Sequence, residues 1–207
     1  MELIPVGDDA LLVELAGADA ACSLALWARA HLSAREVVPG ARSVLLDGLA
    51  DPAGAAARLV ALRDGPDWPD RRRVEDAGTA EDLVELSTVY DGADLDDVAG
   101  RWGCTVAEVV ERHTATEFRV AFCGFAPGFA YLSGLPAAWA VGRHADPRTR
   151  VPAGAVALAD TWCGVYPTAS PGGWRLLGRT DAPLWDVTRP RPALLAPGTR
   201  VRFVVAR

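Results

Sequence analysis

The first half of the chain alternates short apolar runs with two stretches of helical periodicity. Four runs of strand length are separated by turns rich in glycine, proline and aspartate, at residues 3–6, 10–15, 36–39 and 43–47. Leucine and alanine recur at spacings of three and four through residues 19–32, which predicts a helix. Asp51 as N-cap and Pro52 at the first helical position begin a second helix that runs to Arg63. With a further strand at residues 83–89, the order β-α-β-β-α-β predicts a small α+β sandwich.

The composition of residues 63–80 predicts a linker between two domains. The segment 65–70 is made of turn formers and is followed by a run of mixed charge at residues 71–76. Acidic neighbours largely neutralise the consecutive arginines of this run, so we expect a solvated loop. The sequence therefore divides into one domain over residues 1–80 and a second over residues 81–207.

Two short helices are predicted at the start of the second domain. Asp94 caps the first helix and Gly103 ends it. The sequence Thr105-Val-Ala-Glu108 is a capping box that begins the second. His113 continues the apolar face of this helix into its last turn, where a helix C-terminus favours a protonated imidazole. Spacing alone leaves open a packed histidine or a functional one.

The remainder of the chain alternates short β segments with turns. Between residues 122 and 179, glycine and proline recur with aromatic residues between them, so this stretch cannot be a helix and its backbone can lie close to a ligand. Short strands are predicted at residues 150–151, 155–159, 164–166, 175–178, 184–187 and 200–205. Many short strands separated by proline and glycine turns predict an all-β barrel.

Composition narrows the classes of function. A net charge of −6 and a pI near 5.1 argue against a general nucleic-acid surface. All 21 basic residues are arginine, which excludes a Walker A lysine, a Schiff base and a lysine general base. The cysteines and histidines lack the spacing of a zinc site, so no metal site is predicted. Without a signal-peptide pattern or a long apolar run, we expect a cytoplasmic protein with no membrane segment.

Five ordered motifs between residues 124 and 180 carry a resemblance to a known family. They are Gly124-Phe-Ala-Pro-Gly-Phe-Ala-Tyr-Leu132, Pro147-Arg-Thr-Arg-Val-Pro-Ala-Gly154, Gly164-Val-Tyr-Pro167, Ser170-Pro-Gly-Gly-Trp174 and Gly178-Arg-Thr180. Together they resemble the B subunit of the bacterial 5-oxoprolinase, a family also named allophanate hydrolase subunit 1 and the sporulation-kinase inhibitor KipI. The resemblance implies a cyclophilin-like barrel for the second domain.

The resemblance also implies an activity. It points to a subunit of an ATP-dependent 5-oxoprolinase, a hydrolase that opens the lactam of 5-oxoproline to glutamate together with a homologous C subunit and a separate A subunit. A lactam is resonance-stabilised, so phosphorylation from ATP with Mg²⁺ would activate it, and arginines with backbone amides would stabilise the developing charge. Because the chain lacks a phosphate loop, we expect the ATP to be shared with or held by a partner subunit.

The candidate site combines residues of the motifs with residues just before them. Candidate catalytic residues are His113, Arg148, Arg179 and Tyr166, and candidate substrate- or anion-binding residues are Arg119, Gly128, Ser170, Gly172 and Gly173. The planar guanidinium of arginine can form two parallel hydrogen bonds to a carboxylate or phosphate. For each of Arg119, Arg148 and Arg179, the alternative is a surface or partner-facing position. Successive backbone N–H groups of the turn at residues 170–173 can point at an anion.

Several assignments rest on residue type or on the resemblance alone. The resembling family carries a histidine at position 113 and an arginine at position 119. Tyr166 and Ser170 could orient a substrate oxygen, and Asp186 could act as an acid or an arginine partner. Cys123 and Cys163 are candidate nucleophiles by residue type only.

Two other functions stay open. A KipI-like inhibitor would bind a sensor histidine kinase through the apolar rim of the barrel, and the tryptophans at positions 139, 162, 174 and 185 suit such an interface or the barrel core. An allophanate hydrolase or urea carboxylase subunit would act on another small amide. Ala155, Trp162 and Cys163 depart from the family pattern and remove hydroxyl and amide groups that a small polar substrate would contact.

Overall fold

The computed structural model describes residues 1–66, 68 and 83–206. The chain divides into two compact units, Met1–Ala80 and Glu81–Arg207. Most of the predicted linker over residues 63–80 lies outside the described residues. Among the helices that the structure describes, none combines the length and the hydropathy that a membrane crossing requires.

The first unit is a four-stranded antiparallel sheet with two helices. The strands are β1 Glu2–Val6, β2 Ala10–Glu14, β3 Glu36–Pro39 and β4 Ser43–Asp47, in the order β1-β2-β4-β3, and the helices are α1 Ala18–His31 and α2 Pro52–Asp64. Asp51 Oδ1 accepts a hydrogen bond from Gly54 N at 2.9 Å, which confirms the predicted N-cap of α2. Val13, Leu24 and Leu59 are fully buried between sheet and helices.

The predicted closing strand of this domain belongs elsewhere. Strand β5, Leu83–Thr88, pairs with no strand of the first sheet and instead runs parallel to β13, Arg200–Val205, in the second unit. Leu86 of β5 is buried in the core of that unit. The β-α-β-β-α-β order was therefore wrong in its last strand, because an apolar strand pairs wherever its buried face is covered rather than with its neighbour in sequence.

The second unit is built on a seven-stranded, barrel-like sheet. Its strands are β5, β6 Phe118–Cys123, β7 Ala130–Ser133, β9 Ala155–Ala159, β10 Trp162–Val165, β12 Arg175–Arg179 and β13, in the order β12-β9-β10-β7-β6-β13-β5. Strands β8 Arg148–Val151 and β11 Ser170–Gly172 form a separate pair. Val89, just after β5, exchanges two backbone hydrogen bonds of 2.9 Å with Arg179 of β12. This bridge joins the two edges of the sheet and nearly closes it.

Two helices precede the central strands, as predicted. They are α3 Leu95–Trp102 and α4 Val106–Ala115, and a short 3₁₀ helix covers Ala137–Trp139. Gly103 ends α3 in the left-handed conformation, with φ of 61°. Thr105 Oγ1 accepts from Glu108 N, and the Glu108 carboxylate accepts from Thr105 N, which confirms the capping box of α4.

Strand β9 separates two apolar clusters of the second unit. All of its residues are buried because both faces of the sheet are covered. Val156 and Leu158 face a core that holds Phe118 and Phe203. The alanines of β9 face the other side, where the aromatic cluster lies, which we define as Phe122, Phe125, Phe129, Tyr131, Trp162, Tyr166 and Trp174. The predicted strand over residues 184–187 is only a bridge between Trp185 and Ala193.

Candidate functional site

Tyr166 lies in the aromatic cluster with its hydroxyl at a polar edge. The ring of Phe129 is in edge contact with Tyr166 at 5.4 Å and with Trp174 at 5.5 Å. A Cβ at Gly172 would lie 2.3 Å from Tyr166 Oη, so only glycine allows the hydroxyl its position. Burial raises the pKa of Tyr166, while the backbone of Trp174 and the positive charges of Arg143 and Arg148 act in the opposite direction.

Arg148 is held by a buried carboxylate. Asp94 Oδ1 accepts from Arg148 Nη2 at 2.7 Å and lies 3.0 Å from His144 Nε2, and Asp94 Oδ2 accepts from Leu176 N at 2.7 Å. Arg148 Nη1 also donates to the Trp174 carbonyl at 3.4 Å. Burial would raise the pKa of Asp94, but the hydrogen bonds from Arg148 and Leu176 N–H outweigh it and hold that pKa below its usual value. Asp94 is therefore a charged anchor at neutral pH.

This arrangement corrects one sequence prediction. Asp94 begins α3, but its side chain makes no capping hydrogen bond to that helix. The carboxylate instead reaches residues 50 to 82 positions later in the chain. A capping bond is a local interaction, and the stronger charged donors of Arg148 and the buried amide of Leu176 take its place.

His144 and Arg175 extend the charged group, which we call the Asp94 cluster: Asp94, Asp97, His144, Arg148 and Arg175. Arg175 Nη1 lies 2.9 Å from Asp97 Oδ2 and 3.3 Å from His144 Nε2, and Arg175 Nε donates to the Gly142 carbonyl. His144 Nε2 thus lies near one acceptor and one donor, and a single ring nitrogen satisfies only one of them at a time. Asp94 and His144 were not among the predicted site residues, because no local sequence pattern signals contacts of this range.

His113 lies in the other apolar cluster. Its ring is 0% exposed and packs 4.5 Å from the ring of Phe203. Tyr90 Oη lies 2.7 Å from His113 Nδ1, and Cys163 Sγ lies 3.4 Å from His113 Nε2. Burial lowers the pKa of His113 to about 3, so the imidazole is neutral at physiological pH. The structure does not bring His113 together with Arg148 or Tyr166, and its acid–base role stays a prediction.

The surroundings of the two candidate thiols, Cys123 and Cys163, disfavour the thiolate that a nucleophile requires. Cys163 is fully buried against His113, and Cys123 Sγ donates to the Leu195 carbonyl at 3.3 Å. Burial raises the pKa of both thiols, so neither forms the reactive thiolate at neutral pH.

The other two candidate arginines have partners of their own. Arg179 Nε donates to Asp91 Oδ2 at 2.9 Å in an exposed ion pair. Arg119 Nη1 donates to the Gly198 carbonyl at 3.1 Å beside β13. In the part of the chain that the structure describes, neither shares a partner with Arg148, so the three arginines do not form one cluster. Their catalytic or binding roles stay predictions.

The predicted anion-binding turn at residues 170–173 is largely a strand. Ser170–Gly172 is β11, and Gly172 pairs with Arg148 of β8. Neither Gly172 nor Gly173 has a positive φ, so their amides do not alternate as in an anion-binding nest. The Gly173 carbonyl accepts from His144 N at 2.7 Å. Ser170 Oγ is buried without a hydrogen-bond partner among the described residues, and it lies in the strand that flanks Arg148.

The last two candidates serve local structure. Gly128 has φ of 85°, and a Cβ there would lie 2.9 Å from Trp185 Cβ and 3.2 Å from the Leu184 carbonyl oxygen. Asp186 accepts from Thr188 N at 2.9 Å and Thr188 Oγ1 at 2.7 Å, which closes an exposed turn. Gly128 thus lets the chain approach Leu184 and Trp185, and Asp186 stabilises the turn that follows them.

The family described as the carboxyltransferase domain, subdomain C and D, matches residues 1–195 of the chain. The chain belongs to this family. Within the carboxyltransferase-domain family, the chain is 47% identical over 125 residues to a protein of Escherichia coli O157:H7 named as the B subunit of 5-oxoprolinase, covering 59% of this chain and 57% of that protein. It is 39% identical over 133 residues to the protein of the same name from Bacillus subtilis (strain 168), covering 63% of this chain and 55% of that protein. The matched segments thus span less than two thirds of these relatives.

Solved structures share the fold. The crystal structure of TTHA0988 superposes with a TM-score of 0.73 at 32% identity, over 96% of this chain and 40% of that chain. The crystal structure of a conserved uncharacterized protein from Pyrococcus horikoshii superposes with a TM-score of 0.57 at 29% identity, over 99% of this chain and 97% of that chain. The urea amidolyase of K. lactis gives 0.69 at 17% identity, over 99% of this chain and 15% of that chain, which shows a shared fold alone.

Proposed function

We propose that this chain is a subunit of an ATP-dependent 5-oxoprolinase, which opens the 5-oxoproline lactam to glutamate together with a homologous C subunit and an A subunit. The assignment to the 5-oxoprolinase system is supported by the relatives from Escherichia coli and Bacillus subtilis, which are named as its B subunit. The proposed role of this chain is to bind and orient the lactam, and the proposed site is the edge where the aromatic cluster meets the Asp94 cluster.

The position of Arg148 carries the proposal. Asp94 and the Trp174 carbonyl hold its guanidinium, whose side chain is 29% exposed. Gly172, which pairs with Arg148, lies against the Tyr166 hydroxyl, since a Cβ there would lie 2.3 Å from Tyr166 Oη. The remaining N–H donors of Arg148 have no acceptor among the described residues. An arginine fixed on one side and open on the other is suited to bind a carboxylate or a developing oxyanion without reorganisation.

The residues of this chain do not fit a complete Mg²⁺–ATP site. The chain has no lysine, and the described residues contain no group of three His, Cys, Asp or Glu side chains that could hold a metal ion. The glycine-rich segment at residues 170–173 contributes a strand instead of a phosphate cradle. We therefore propose that the ATP is held by a partner subunit, and we assign no nucleotide-binding step to this chain.

The test is reconstitution. ATP-dependent loss of 5-oxoproline is measured with this chain and its C and A partners, with each subunit omitted in turn. We expect turnover only when this chain is present, and we expect Arg148→Gln to lower kcat/KM by about tenfold or more, since a charged hydrogen bond is lost. Arg189→Gln is the matched surface control, because Arg189 pairs locally with Asp186. Full turnover without this chain would refute the proposal.

The kinase-inhibitor alternative gains little from the tryptophans. Trp174 is buried, and Trp139 packs on Trp102 at 5.4 Å. Trp162 packs on Phe122, so Trp185 is the exposed one of the four named for this interface. Most of these side chains serve the fold of the second unit, and no described contact favours a kinase-binding surface.

A further inference from the structure

Phe125 holds an unusual backbone conformation at the edge of the aromatic cluster. Its φ is 69°, and Ala126 N donates to the Gly124 carbonyl at 2.8 Å, which closes a γ-turn around it. A bulky side chain in this region is strained, and glycine would adopt it freely. Phe129 N donates to the Ala126 carbonyl, which fixes the turn further. The loop thus maintains a costly conformation at one aromatic residue.

The strain places an aromatic ring in solvent next to Tyr166. The Phe125 side chain is 61% exposed, although its ring lies 5.2 Å from that of Phe129 and 6.2 Å from that of Tyr166, both of which are buried. An exposed phenylalanine contributes little to folding, since most of its surface stays in water. A strained and exposed ring of this kind is more useful as a wall against which an apolar part of a ligand can pack.

Positive charge lies on the Trp174 side of the aromatic cluster. Arg143 lies over the ring of Trp174 with its guanidinium carbon 5.7 Å from the ring centre, and its charge acts on the Tyr166 hydroxyl together with that of Arg148. Arg148 is paired with Asp94, whereas Arg143 has no acidic partner within the described ranges 1–66, 68 and 83–206. An arginine stacked on an aromatic ring keeps its fork available for a carboxylate.

We infer that Phe125 and Arg143 are the specificity-determining residues of the proposed site. The substrate lies at the exposed edge of the aromatic cluster, with its apolar ring edge against Phe125 and its carboxylate on Arg143. The site would thus select a small ring that carries one carboxylate, and a neutral lactam would keep the contact with Phe125 but lose the one with Arg143. This inference rests on the proposed function and concerns two residues that were not among the candidate site residues predicted from the sequence.

The experiment compares two ligands on the reconstituted complex. The KM for 5-oxoproline is measured, and 2-pyrrolidinone, which has the lactam ring without the carboxylate, is used as a competitive inhibitor. We expect Arg143→Gln to raise the KM for 5-oxoproline by about 10- to 100-fold and to leave the inhibition constant of 2-pyrrolidinone unchanged. We expect Phe125→Gly to raise both constants by about tenfold.

Two further variants separate ring loss from strain and from general surface effects. Phe125→Gly and Phe125→Ala both remove the ring, so both should weaken binding equally. Only glycine relieves the strained φ, so Phe125→Gly should have the higher Tm. Val187→Ser changes another exposed apolar side chain and should alter neither constant. Association of each variant with the C subunit is measured in parallel by size-exclusion chromatography.

The outcomes separate this inference from the proposed function. If the native complex turns over 5-oxoproline and both Arg143→Gln and Phe125→Gly keep the native KM, the inference is wrong and the proposed function stands. If Phe125→Gly instead weakens subunit association, the ring serves an interface and the inference is also wrong. If the native complex shows no turnover, the proposed function fails and this inference fails with it.

Discussion

Acidification should destabilise the second unit through His113. The imidazole is fully buried, and the groups that face it are the Tyr90 hydroxyl, the Cys163 thiol and the rings of Phe118 and Phe203. None of these groups carries a negative charge at neutral pH, since burial raises the pKa of both Tyr90 and Cys163. The C-terminus of α4 favours an imidazolium at this position, but burial outweighs it and lowers the pKa of His113 to about 3.

The sign and size of the effect follow from linkage. The unfolded chain binds a proton at this histidine below its ordinary pKa of about 6.5, whereas the folded protein does not bind it until about pH 3. The free energy of unfolding therefore falls as the pH drops from 6.5 toward 3. The loss is about 1 kcal/mol at pH 5.5 and about 3 kcal/mol at pH 4.5. Its size is set by the pKa of the unfolded chain as long as the pKa of the folded protein lies below the pH of the measurement.

Urea unfolding followed by tryptophan fluorescence at pH 7.5, 5.5 and 4.5 measures this loss. His113→Gln removes the titrating group, so the native protein should lose about 3 kcal/mol more than this variant between pH 7.5 and 4.5. His31→Gln is the matched control, because His31 is exposed and its ring contacts Trp27 of its own helix, through the carbonyl and by stacking. Equal pH dependence of the native protein and His113→Gln would refute the reasoning. If His113→Gln does not fold, the pKa of His113 is measured in the native protein by NMR titration. A midpoint near pH 6.5 would refute the reasoning.

Three further predictions concern stability and reactivity. Thr105→Ala should lower the free energy of unfolding by about 1 kcal/mol, because the capping box of α4 is lost, and an unchanged urea midpoint would contradict this. Gly178→Ala should cost about 2 kcal/mol or more, because the new Cβ would lie 2.1 Å from the Val89 carbonyl oxygen. Gly100→Ala, with no atom within 4 Å of the new Cβ, should instead raise Tm through helix propensity, and equal effects of the two substitutions would count against the packing argument. Cys163 should resist alkylation in the native protein and react only on unfolding, as peptide mass spectrometry would show.

Local sequence determined much of the secondary structure. The N-cap at Asp51, the capping box at Thr105 and the glycine stop at Gly103 were all visible in the sequence and are confirmed. Each depends on residues within about five positions of one another, so the chain needs no distant partner to satisfy the backbone groups involved. The strands at residues 36–39 and 43–47 were likewise predicted with the bounds that the structure has.

The errors concern choices between distant partners. Strand β5 was found at the right place but was assigned to the wrong sheet, because an apolar strand does not specify which edge covers it. The segment 170–173 contains turn-forming residues, but pairing with β8 makes most of it a strand. Asp94 has the sequence context of a cap, yet its carboxylate binds donors beyond the helix.

The sequence by itself determined the helices, most of the strands and, through its motifs, the family. Only the tertiary structure decided the composition of the candidate site, because Asp94 meets Arg148 and Leu176 at separations of 54 and 82 residues. It also decided that His113 belongs to the core, where spacing alone left open a packed or a functional histidine, and that Phe125 lies at the surface. Burial and charge pairing are properties of what the folded chain brings together, and no local pattern encodes them.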